Sequence, residues 1–235
     1  MAQQQAPAGS HQAAQATLAA LVAREVTRIW HLLDPGHLAA SLPQFAAVVA
    51  ALVQHYGTAS AGLAARFYEE ARAAAGVRGP FTAVPATPPG LDQVEAELKW
   101  ATRNLWSATP DVQAARTLVT GAADRMVLDT GRETVTGAVQ HDRRARGWAR
   151  VTEPRACSFC LLLATRGAAY RSEQTAEFRS HDHCRCHVEP VFGAYEPTAE
   201  IRHWQAVYRE ATRGKSGQDA RNAFRQAVEA QRAAQ

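Results

Sequence analysis

Residues 41–75 read SLPQFAAVVAALVQHYGTASAGLAARFYEEARAAA. Within them Phe45, Val48, Val49, Leu52, Val53, Tyr56, Leu63 and Phe67 recur at three- and four-residue steps. That is the stripe of an amphipathic helix, not the alternation of a strand. Ser41 with Gln44 forms a capping box and Pro43 falls in the tolerated first turn, so the spacing predicts a helix from Ser41 towards Ala75. Gly57 and Gly62 interrupt it and are candidate kinks. Upstream, Leu18, Leu21, Val22, Val26, Ile29, Leu32 and Leu33 keep the same period until Asp34-Pro35-Gly36 turns the chain. Two such helices predict an antiparallel hairpin.

The rest of the chain points the same way. Of 235 residues, 50 are alanine, the residue that loses no side-chain entropy in a helix. This composition excludes collagenous, coiled-coil-only and disulfide-scaffold classes. Gly76 to Gly90 carries four prolines and three glycines and reads as a linker or long loop. Beyond it, Val94, Leu98, Ala101 and Leu105 predict a third helix. Thr109-Pro110-Asp111 opens a fourth with Thr109 as N-cap, its inner face running from Val112 through Met126 and fading near Gly131. After His141 the period is lost, and Val151 to Phe192 has the short apolar pieces and turn residues of a small mixed module. Pro197 to Thr212, and Ser216 to about Gln231, predict two closing helices. The expected class is mainly α, with four parts. Residues 1–17 are a flexible N-terminus, and 18–140 a region of long helices with the loop at 76–90. Residues 141–195 are a small α+β Cys/His-containing module, and 196–235 a C-terminal helical tail.

Charge adds little. The 26 Lys+Arg against 22 Asp+Glu are spread evenly, and a diffuse excess is no nucleic-acid footprint. One local group differs. Arg143, Arg144, Arg146 and Arg150 can follow a phosphate backbone, with Trp148 stacking on a base. The alternative places Trp148 in the module's core behind a solvated Arg-rich connector. Trp30, Trp100, Trp106 and Trp204 fall on helical stretches, where core or partner packing is expected. No apolar run approaches the roughly 20 residues that span a bilayer, and Met1 to Gly9 has no secretory pattern. A soluble protein made in the cytoplasm, with no membrane partner, is therefore expected.

All four cysteines fall in one window: Cys157-Ser158-Phe159-Cys160, then His181-Asp182-His183-Cys184-Arg185-Cys186-His187. A C-x2-C pair points two thiolates at one metal, and a second pair from a distant segment completes a tetrahedron. Cys157, Cys160, His181, Cys184 and Cys186 are the candidate ligands, and four of the five suffice for a structural zinc. The single-residue spacing of Cys184 and Cys186 alternates faces on a strand. A disulfide or free thiols are the alternative state. No nucleophile–base pair accompanies the thiols, so no enzyme is predicted. The string His181-Asp182-His183 also admits a metal-dependent H-N-H-type nuclease. That would need a ββα-metal core, and Pro197 onward does not show one.

The order of these motifs is distinctive. Val151-Thr152-Glu153 leads into Cys157-x2-Cys160, followed by Arg166-Gly167-Ala168-Ala169-Tyr170-Arg171-Ser172, then His181-x2-Cys184-Arg185-Cys186 and Val188-Glu189-Pro190-Val191-Phe192. The stretch resembles the minor head proteins of tailed phages, the MuF-like minor capsid family, in its actinobacteriophage branch. Asp182 stands where the family pattern has proline. The resemblance implies a structural, non-catalytic protein of head morphogenesis in the capsid interior near the portal vertex. It implies the portal protein and major capsid or scaffold proteins as partners, and packaged DNA as a further contact. Its place would be the virion, and the host cytoplasm during assembly. Some relatives carry a maturation-protease label, for which this chain offers no constellation.

Overall fold

The computed structural model describes residues 2–153, 155–168, 178 and 180–234, with side chains from residue 8 onward. The helices are α1 (Ala2–Arg28), α2 (Leu38–Ala74), α3 (Leu91–Ala101), α4 (Val112–His141), α5 (Ser158–Ala164), α6 (Ala199–Ala211) and α7 (Gly217–Ala233). Strands β1 (Gly147–Val151) and β2 (His187–Val191) flank α5 in sequence. The protein is mainly α, with a small α+β region, as the periodicity implies. Its division is not sequential, however. One unit comprises Met1–Ala138 and Glu177–Cys184, the other Val139–Ala176 and Arg185–Gln235.

In the first unit, the stripes read from sequence meet as the core. Val22 and Val26 of α1, Phe45, Val49 and Val53 of α2, Val94 and Leu98 of α3 and Val119 and Val127 of α4 are all fully buried. Each such side chain is worth about 1.5–3 kcal/mol of transfer free energy. The 1–17 segment, expected to be flexible, is helical from Ala2. Its inward face is polar, which hid it: His11 stacks on Phe67 with ring centroids 4.3 Å apart. Gln15 Nε2 donates to the Ser60 carbonyl at 3.0 Å, and Ser60 Oγ donates to Gln15 Oε1 at 2.7 Å. α2 starts at Leu38 and not Ser41, because Asp34 caps a short 3-10 turn by accepting from the Gly36 amide at 2.8 Å. Ser41 Oγ then accepts from the Asp34 amide at 3.0 Å. The helix passes both glycines without ending. At Gly57 a Cβ would lie 2.9 Å from the Pro88 side chain, so hydrogen is what lets the two segments touch.

Contrary to the absence of a spanning run expected above, Pro35–Ala74 is long and apolar enough to cross a membrane, its most apolar 18-residue stretch having a mean hydropathy of 1.6. Phe45, Val49 and Val53 nevertheless face protein, as in a core helix.

The Pro/Gly-rich 76–90 stretch is a strap, tied along its length. Arg72 donates to the carbonyls of Val77 and Gly79 at 3.3 and 2.7 Å. The Ala83 amide donates to Glu69 at 3.0 Å, Gln54 Nε2 to the Pro89 carbonyl at 2.8 Å, and the Ala86 amide to Thr134 Oγ1 at 2.9 Å. Asp111, and not Thr109, caps α4 by accepting from the Ala114 amide at 2.9 Å. α4 runs on through Gly131, where a Cβ would stand 2.5 Å from Ser60 Oγ and 3.0 Å from Gln15 Nε2. The apolar stripe fades there because a polar network replaces it.

In the second unit, β1 and β2 pair antiparallel from Gly147↔Val191 to Val151↔His187. Trp148 is buried, which settles it as core and not as a base-stacking residue. Thr198 caps α6, accepting from the Ile201 amide at 3.2 Å. Trp204 of α6 meets Phe224 of α7 edge-on at 6.4 Å. In the first unit, Trp30 packs edge-on against Phe45 at 5.7 Å, whereas Trp100 and Trp106 are 52% and 58% exposed. Gly167 takes φ +65 just past α5, a conformation that favours glycine. The rest of that motif stretch, Ala169 to Ser172, lies outside the described residues.

Candidate metal-binding cluster

Three of the five candidate ligands belong to the second unit. Cys157 is the N-cap of α5, and its Sγ accepts from the Cys160 amide at 3.4 Å. The C-x2-C spacing thus spans one helical turn and turns both sulfurs to the same side. The Cys157 and Cys160 sulfurs lie within 4.8 Å of each other, and so do those of Cys160 and Cys186. Cys186 immediately precedes β2, so the strand pair delivers it. The four cysteines form no disulfide with one another, and Cys160, Cys184 and Cys186 are buried. Clusters of Cys and His of this kind can hold a metal ion; soft thiolates select ions such as zinc.

Arg150, expected to reach phosphate, does not face solvent. It is 1% exposed on β1, and its Nη1 donates to Cys160 Sγ at 3.7 Å. Arg143, Arg144 and Arg146 are exposed, as that expectation requires. Nearby on β2, burial pushes the Glu189 carboxyl above its ordinary range.

His181 and Cys184 belong to the first unit, in a turn closed by the Cys184 amide on the His181 carbonyl at 3.0 Å. α4 organises this turn through residues the sequence did not single out. Arg125 Nε donates to Asp182 at 2.9 Å, while its Nη2 pairs with Glu97 at 2.6 Å. Arg132 Nη2 donates to the Cys184 carbonyl at 2.6 Å, and its Nη1 pairs with Asp129 at 2.7 Å. Ser180 Oγ reaches both Asp129 oxygens at 2.8 Å. His183 takes φ 61 with Nδ1 3.9 Å from Asp124. Gly121 makes the approach possible, since a Cβ there would fall 2.8 Å from Asp182 Cβ and from His183 Nε2. Asp182 therefore has a structural partner in Arg125. The available signal was charge alone: one acid in the motif and several arginines on a distant helix.

The family model described as VG15 protein matches residues 1–211. No curated protein and no solved structure matches the chain.

Proposed function

The chain belongs to the VG15 protein family, a family of phage proteins, and from that premise we propose that it is a minor head protein of MuF-like type with a structural role and no enzymatic activity. The observation that carries this reading is the coverage of the match, which takes in both the helical body and the Cys/His stretch. The polar groups around His181 to Cys184 support it, because ion pairs and backbone hydrogen bonds hold that turn. Its partners are the portal protein and major capsid or scaffold proteins, its place the virion interior near the portal vertex and, during assembly, the host cytoplasm.

Within the second unit, Cys160 with Cys157 or with Cys186 supplies thiolate ligands to zinc, and further ligands from the expected set of five complete the tetrahedron. Such a metal would staple a module too small to rely on its apolar core alone. The role test is assembly. Co-expression with the phage's portal and capsid proteins should place this chain in purified procapsids at low copy. Particles that form and mature normally without it, and never contain it, refute the role. The metal test is composition: protein purified under reducing conditions should carry about one zinc per chain, as a structural site requires.

A second reading, a DNA contact, is favoured by the exposure of Arg143, Arg144 and Arg146. It predicts salt-steep binding to duplex DNA. A nuclease would instead cut DNA in a metal-dependent way, with cutting lost on substitution of His181 or His183.

A further inference from the structure

Cys157 is the cysteine that a reagent in solution meets first. It is half-buried, whereas Cys160, Cys184 and Cys186 are 1%, 3% and 2% exposed. Its sulfur also lies over its nearest partner in the chain. As the N-cap of α5 it accepts from the Cys160 amide at 3.4 Å, and the two sulfurs lie within 4.8 Å of each other. Residues three apart across one helical turn have Cα atoms about 5 Å apart, inside the roughly 4.4–6.8 Å that a disulfide spans. Bonding the two sulfurs therefore takes side-chain rotation and not backbone movement. The backbone is anchored on both sides of Cys157. The Leu161 amide donates to its carbonyl at 3.0 Å, and the Ala156 amide donates to the Glu153 carbonyl at 2.9 Å. Arg232 of α7 donates to the Ala156 carbonyl.

We infer that Cys157 and Cys160 form an oxidisable dithiol, in which a small disulfide attacks at the surface through Cys157 and Cys160 closes the bond from within. In the first step the Cys157 sulfur attacks RSSR, forming Cys157–S–SR and releasing one RS group, which leaves with the Cys157 proton. In the second the Cys160 sulfur attacks Cys157 Sγ, forming the Cys157–Cys160 bond and releasing the other RS group with the Cys160 proton. The dithiol loses two electrons and two protons, and RSSR gains both and leaves as two RSH. Cys186 is the competing partner, since its sulfur also lies within 4.8 Å of Cys160. It is buried from the oxidant, however, and Cys160 attacks the mixed disulfide where it forms, on Cys157. The bond consumes Cys160, the sulfur shared by both cysteine pairs that can serve a metal in the second unit, so closure expels the ion. The dithiol goes beyond the metal reading and stands without it. Its timing rests on the place proposed above: reduced in the host cytoplasm during assembly, oxidised in a particle outside the cell.

The test uses the full chain, purified reduced, stripped of metal with a chelator and treated with oxidised glutathione. Remaining thiols are alkylated, and the digested chain is mapped by mass spectrometry. Two of the four thiols should be lost to a single Cys157–Cys160 bond, with Cys184 and Cys186 alkylated. In Cys160→Ser one glutathione should stay trapped on Cys157, and Cys157→Ser should keep all its remaining thiols. A main product linking Cys160 to Cys186 overturns the inference, as does a glutathione that persists on Cys157 in the wild type. So does survival of all four thiols under a treatment that oxidises the urea-unfolded chain. The wild-type map needs no substitution, so it decides the matter even if a variant fails to fold. A reduced chain that takes up no zinc and still closes the Cys157–Cys160 bond sinks the metal reading and leaves the dithiol standing.

Discussion

His11 should make the first unit acid-sensitive well above the pH at which carboxylates titrate. Its imidazole stacks flat on Phe67 with an interplanar angle of 6°, and it is 8% exposed. Burial disfavours the charged ring and holds its pKa down to about 4 from an ordinary 6.5. In the unfolded chain the same ring takes up a proton near pH 6.5. As pH falls below that value, the unfolded state binds a proton that the native state refuses, so stability falls. The loss begins near pH 6.5 and is complete at about pH 4. At about 1.36 kcal/mol per pKa unit, the full penalty is roughly 3.4 kcal/mol, of which about 2 kcal/mol has appeared by pH 5. His11→Phe keeps a ring on Phe67 and removes the proton site. Urea unfolding of both proteins at pH 8 and pH 5 should show the wild type losing about 2 kcal/mol more than the variant. The difference between the two proteins cancels the titration of every other group. Parallel pH dependence in the two proteins would refute the buried, neutral His11.

Other substitutions probe the remaining parts of the fold. Gly131→Ala pushes a methyl to 2.5 Å from Ser60 Oγ and should cost about 1–3 kcal/mol by urea unfolding. Gly137→Ala, on the same helix with no described residue within 4 Å of the added carbon, should be neutral or stabilise by up to about 1 kcal/mol. A loss at position 137 equal to that at 131 would remove the steric account. Trp148→Ala empties a fully buried site and should destabilise the second unit by about 3–5 kcal/mol, seen as an earlier transition in calorimetry. If the exposed arginines hold DNA, replacing Arg143, Arg144 and Arg146 together by Gln should reduce the log–log salt slope of binding by about 0.9 per lost phosphate contact. An unchanged slope assigns any affinity elsewhere.

How much of this was legible follows from what each signal measures. Apolar periodicity reports burial of hydrocarbon, so it found the faces carrying Val22, Phe45, Val94 and Val119, all at 0% exposure. It missed the first half of α1 and the second half of α4 because Gln15, Ser60 and Gly131 meet there through hydrogen bonds and close approach. The C-x2-C spacing was readable since it is local to one helical turn. The turn around Asp182 was not, because it depends on Arg125, 57 residues away. The discontinuous first unit has the same cause: 177–184 belongs with a helix far upstream, and no local pattern records that.

Arg150 is different, because the information needed was present. Two residues apart on a strand, Trp148 and Arg150 point to the same face. Placing Trp148 in the core therefore commits Arg150 to the core as well, and a phosphate contact by Arg150 is incompatible with a core tryptophan at 148. Arg146 has the same parity but lies one residue before β1 begins, where the ladder no longer constrains its direction, and it is exposed. The run of arginines is thus two populations: Arg143, Arg144 and Arg146 face solvent, and Arg150 turns inward with the tryptophan to meet Cys160.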